Sequence, residues 1–220
     1  MLVIRDEQMK AMQDYMLAKF AGRMFLHLRE SFPEETSDIS DEELRALIQM
    51  GIKKARSYNI VEDEDVQGFL EFMITNGPNF HEDEAHPEIQ QILSSTEMDG
   101  EEKIDEIDYY YERLEEKAHK ALHLRESFPG ETSDISDEEL SDLIQTGIDK
   151  AKSYNIIEDE SVQRFLDYMV TRGPNFHEDE AHPEIQEILS STEMDGEEKI
   201  DEIDYYYERL EEESLEARGE

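Results

Sequence analysis

The chain has 220 residues, 37% hydrophobic and 36% charged, and its 59 acids against 21 lysines and arginines give a net charge of −38. A field of that sign repels nucleic acid and anionic membranes and draws in basic proteins. With no cysteine, a disulfide framework and a thiolate metal site are both excluded, and no apolar run approaches the ~20 residues needed to span a bilayer.

The first predicted helix runs from about Asp6 to Ser31. Met9, Met12, Met16, Phe20, Met24 and Leu28 recur at three- and four-residue spacing, one stripe for burial. The spacing favours methionines that fill a core over an adaptable binding groove. Residues 1–26 sum to +1. Charges at Arg5, Asp6, Glu7 and Lys10 interrupt any secretory apolar core, so a soluble cytoplasmic protein is expected.

From His27 the chain begins a segment that it later repeats. Residues 27–116 return at 123–212, displaced by 96, with 14 of 90 paired positions different. A repeat of that length is a small domain, so the expectation is two lobes, 1–116 and 117–220. Their repeats carry −19 and −20. Apolar positions change mildly (Val61 to Ile157, Phe72 to Tyr168) and polar ones freely (Lys53 to Asp149, Asn76 to Arg172), as separate cores and surfaces require.

Within the first copy, Phe32-Pro33 stops helix one, because the residue before proline is pushed out of the α region. Residues 34–39 read as loop. Ser40 and Glu43 form a capping box that opens a second helix, whose period the apolar set Leu44, Leu47, Ile48, Gly51, Ile52, Ala55 and Tyr58 fits. Gly51 in its middle predicts close helix approach. A third helix spans about Asp63 to Asn76 and ends at Gly77-Pro78. Pro87 starts a short helix, and Asp99 with Glu102 offers another cap. From Glu101 to Phe128 there is neither proline nor glycine, which predicts one helix over about 101–127, shared between the lobes as a strut. The second copy repeats the plan, with a last helix over about 197–217. Nothing alternates with period two, so the fold class is all-α.

His81-Glu-Asp-Glu-Ala-His86 and its copy His177 to His182 come nearest to chemistry. The histidines are five apart, too far round a helix to share a metal. In a loop, His81, Asp83 and His86, or His177, Asp179 and His182, could clasp zinc or nickel, and a metal-dependent enzyme is one reading. The other reading is an acidic loop beside a helix start, with no cofactor. The acidic run Glu62, Asp63, Glu64 and Asp65 lacks the spaced oxygens and central glycine of a calcium loop; with Glu158, Asp159 and Glu160 it suits a cationic partner. Tyr109, Tyr110 and Tyr111, repeated at 205–207, span about 200° of helix. Tyr111 fits the core register, which leaves Tyr109, Tyr110, Tyr205 and Tyr206 as candidate anchors ringed by acids. No nucleophile elbow, phosphate loop or dinucleotide pattern occurs, so no enzymatic activity is expected.

Together His27–Pro33, Leu47–Ile60, Asp65–Met73 and Gly77–Pro87, with their second copies, resemble a small bacterial all-helical family encoded beside type VI secretion and related toxin-delivery genes. The resemblance implies a cytoplasmic accessory to a secreted effector, as inhibitor, adaptor or chaperone. The composition implies a non-enzymatic module for a basic protein, without direct contact to nucleic acid or membrane. A DNA mimic that occupies a nucleic-acid-binding protein is the alternative within that class.

Overall fold

Each helix starts and stops where local chemistry dictates. The computed structural model describes residues 6–218, and among them every regular element is helical: α1 Asp6–Ser31, α2 Pro33–Thr36, α3 Asp41–Ser57, α4 Asp63–Thr75, α5 Pro87–Ser94, α6 Gly100–Ser127, α7 Pro129–Thr132, α8 Asp137–Ser153, α9 Asp159–Thr171, α10 Pro183–Ser190 and α11 Gly196–Arg218. Single 3₁₀ turns occupy Phe80–Glu82 and Phe176–Glu178. At the start of α3 the Ser40 side chain accepts from the Glu43 amide at 3.3 Å, while the Ser40 amide donates to the Glu43 carboxylate at 3.0 Å. Ser136 and Glu139 repeat the arrangement at α8. Both glutamates are held below the usual carboxylate range by these hydrogen bonds from serine. Asp99 and Glu102 exchange the same pair of bonds, each at 3.0 Å, at the start of α6. Gly77 and Gly173 take φ of +92° and +104° just after α4 and α9, the left-handed region in which glycine carries no Cβ penalty.

The chain divides into two compact units, with the boundary between Glu112 and Arg113, inside α6. In the first, α1 packs on α3 and α4, and α3 on α4. Leu28, Leu44, Ile48, Phe69, Leu70, Ile89 and Ile107 are wholly buried there. The second unit rebuilds this core from Leu124, Ile144, Phe165, Leu166, Ile185, Ile200 and Ile203. Gly51 sits where α4 side chains crowd against the α3 backbone. A Cβ there would overlap the Leu70 side chain and lie 2.6 Å from Met73 Sδ. No described helix is long and apolar enough to cross a membrane.

Two expectations need correcting. The stretch read as loop after Phe32 contains the single turn α2, because Pro33 presets the first helical φ and its missing amide costs nothing at that position. The methionine stripe is only half buried. Phe20, Met24 and Leu28 lie in the core, whereas Met9, Met12 and Met16 are 48 to 62% exposed. Periodicity identifies a face of α1 but not how far its neighbours reach. The early turns of α1 instead line an open groove of about 960 Å³ with Ile52, Val61 and Val66.

Candidate binding site

The acidic run after Val61 does converge with other carboxylates. Glu62 precedes α4, and Asp63, Glu64 and Asp65 fill its first turn, where the positive end of the helix dipole favours acids. The side of α6 that carries Glu101, Ile104 and Asp105 closes a cleft of about 470 Å³ against them. Six carboxylates and one isoleucine line it. The Asp65 carboxyl is raised above its ordinary value, first by burial and then by repulsion from Glu101, Asp99, Glu62 and Glu64. Asp63 has a cation of its own, Arg23 Nη2 at 2.6 Å. The pair is exposed on both sides and therefore contributes little.

The second unit builds the same place differently. Ser161 replaces Asp65 and is buried, and Arg164 replaces Gly68. The Arg164 guanidinium spans Asp201, at 2.9 Å, and Asp204. The Tyr168 hydroxyl also donates to Asp204, and burial pushes that hydroxyl up to about 12, so it remains a donor. Asp159 receives the Lys120 ammonium, whose stem lies buried at the position that Met24 holds in the first unit. Glu158 and Glu160 stay exposed.

The tyrosines separate by position on their helix. Tyr109 and Tyr205 are 52% and 61% exposed. Tyr110 and Tyr206, expected as anchors beside them, are buried, and their hydroxyls hydrogen-bond His86 Nδ1 at 2.9 Å and His182 Nδ1 at 2.8 Å. Each is the wall that holds an α5-type helix start against its long helix. Tyr110 and Tyr206 are therefore structural, and the outward tyrosines are Tyr109 and Tyr205.

The HEDEAH segments do not assemble metal ligands. His81 lies in the core against the rings of Tyr58, Phe69 and Phe80. Asp83 instead accepts from the Ala85 amide at 2.9 Å, and His86 faces Tyr110. His177, Asp179 and His182 repeat this separation. Among the described residues no three His, Cys, Asp or Glu side chains gather to hold an ion. Both ring nitrogens of His81 and of His177 are buried without a hydrogen-bond partner. The Glu82 carboxylate, 3.5 Å from His81 Nε2, is too far to bond well. Burial lowers the basicity of both histidines, and the nearby Lys54 and Lys150 lower it further, so both rings are neutral at pH 7.

Sequence reasoning finds Glu62 to Asp65 but misses Glu101 and Asp105, which tertiary packing brings in. It also passes over Gly68 and Arg164, although a glycine set against an arginine is the largest change in side-chain size between the copies. No protein-family model, curated protein or solved structure matches the chain.

Proposed function

We propose that this protein is a non-enzymatic binding module whose acidic surface holds a basic protein. One observation carries the reading: the first unit presents an open cleft lined by six carboxylates, within a chain whose acids outnumber its bases by 38. Clustered like charge at a concave surface focuses the field and raises the encounter rate of an oppositely charged partner. The outward Tyr109 and Tyr205 supply amphipathic contact area of the kind that anchors interfaces. The motif resemblance adds a context, in which the basic partner is a secreted effector that the protein neutralises or escorts within the cytoplasm.

Capture from the native cell on immobilised full-length protein tests the reading. It expects a stoichiometric partner of high isoelectric point, eluted by salt. Recovery of acidic partners alone, or turnover of a substrate by the purified protein, overturns it.

A further inference from the structure

We propose that the face of α6 bearing Asp105 and Asp108, beside the first unit's acidic cleft, is a receptor for an arginine side chain, and that Arg164 is the built-in occupant of the matching face in the second unit. The proposal deepens the preceding reading and rests on it for the origin of the arginine.

The internal repeat serves as its own comparison. At an offset of 96, Gly68, Ile104, Asp105 and Asp108 stand where the second copy has Arg164, Ile200, Asp201 and Asp204. In that copy a guanidinium already occupies the place, with Nη1 on Asp201 and Nη2 on Asp204. Two carboxylates three residues apart on one helix face match the planar fork of arginine, which a lysine ammonium cannot reproduce as a point charge. With Arg164 in place, Ile200 is completely buried.

The first unit keeps the acceptors and lacks the occupant. Gly68 carries no side chain, and Ile104, which lines the cleft, is only partly buried. Asp105 and Asp108 are exposed, and Gly68 offers no guanidinium where Arg164 reaches Asp201 and Asp204. Phe72, in the place of Tyr168, also withdraws the hydroxyl that Asp204 receives. Glu101 and Asp65 add charge to the cleft lining, and an arriving cation relieves the repulsion that, after burial, raises the Asp65 carboxyl. Exposed ion pairs are individually weak, so a lone arginine gains preference from several carboxylates together, roughly fivefold over an uncharged isostere.

The test is a titration of the ¹⁵N-labelled full chain with the peptide acetyl-Gly-Gly-Arg-Gly-Gly-amide and with its citrulline counterpart, read at the backbone amides around Gly68 and Asp105. The expected result is a saturable shift with arginine and binding about fivefold weaker with citrulline. Gly68→Arg removes the shift by supplying the occupant in cis. Its Cβ meets Ile104 Cγ2 at 2.8 Å, so the isoleucine end must move. The reverse change, Arg164→Gly, needs no added volume, and it should create a second responding set around Ser161 and Asp201. Equal shifts with citrulline, no shift with arginine, or an Arg164→Gly chain that gains no second set would each overturn the proposal. No native partner enters this titration. A silent face therefore removes the arginine receptor even if a basic protein is captured, whereas failure to capture a basic protein removes the functional reading and leaves the peptide result standing.

Discussion

Arg164 and Asp204 form an ion pair in the second unit that has no counterpart in the first, where Gly68 and Asp108 hold the same positions. Two nearly identical helical bodies thus differ in how one acidic shelf is neutralised. The neighbouring changes, Asp65 to Ser161 and Phe72 to Tyr168, act in the same direction: one removes a crowded carboxylate and the other adds a donor.

The strained carboxylate in the first unit yields a stability prediction. Asp65 is raised above its ordinary value in the folded chain, so ionising it at neutral pH opposes folding. The linkage sign is that the folded state binds the proton more tightly, and stability rises as pH falls through the folded-state value. Asp65→Ser, the residue of the second copy, should raise the melting temperature at pH 7, and the gain should vanish as pH enters the acid range. An equal gain at pH 7 and pH 3.5 would show that charge is not the cause.

The buried histidines predict the opposite pH response. His81 and His177 titrate below their ordinary value of about 6.5 because burial disfavours the charged ring. The unfolded chain binds the extra protons first, so their contribution is complete above pH ~6.5 and is lost as pH falls toward the folded-state value. The double variant His81→Phe, His177→Phe should hold its melting temperature between pH 7 and 5.5 better than the parent. Parallel curves would mean that the rings find partners in solution.

Close packing of α3 on α4 gives a third prediction. Gly51→Ala adds helix propensity worth up to about 1 kcal/mol, yet its methyl group would meet Leu70 and Met73 Sδ. Overpacking of a core costs about 1–3 kcal/mol, so the urea midpoint should fall. Gly22→Ala, with nothing within 4 Å of the added Cβ, should raise it. A Gly51→Ala midpoint as high as that of Gly22→Ala would contradict the packing.

The helices are legible in the sequence because each carries its own boundary chemistry. Ser40 with Glu43 marks one start, Asp99 with Glu102 another, and Gly77-Pro78 a stop. The single turn α2 is not legible, since one turn has no period to detect. The exposure of Met12 and Met16 escapes for a related reason: spacing reports which face of α1 is apolar, while the length of the helices opposite decides how much of it is covered. At the site, Glu62 to Asp65 announce themselves as a run. Glu101 and Asp105 join them only through the packing of α6 against α4. Tyr110 is misassigned because two adjacent tyrosines differ by 100° of helix rotation, and the position of His86 selects which one turns inward.

Net charge sets the salt response of the whole chain. At −38, self-repulsion is a standing cost of compactness, and the Debye length, about 8 Å at physiological ionic strength, shortens as salt rises and screens that repulsion. The melting temperature should therefore climb between 20 mM and 500 mM sodium chloride. A flat response would show that local pairs such as Arg23 with Asp63 already compensate the field.

The most direct measurement of the account is the association rate of the captured basic partner at low and at high salt, read beside its dissociation rate. Electrostatic steering predicts an association rate that falls steeply with ionic strength and a dissociation rate that changes little. An association rate unchanged across that range would contradict the claim that the acidic surface recruits its partner.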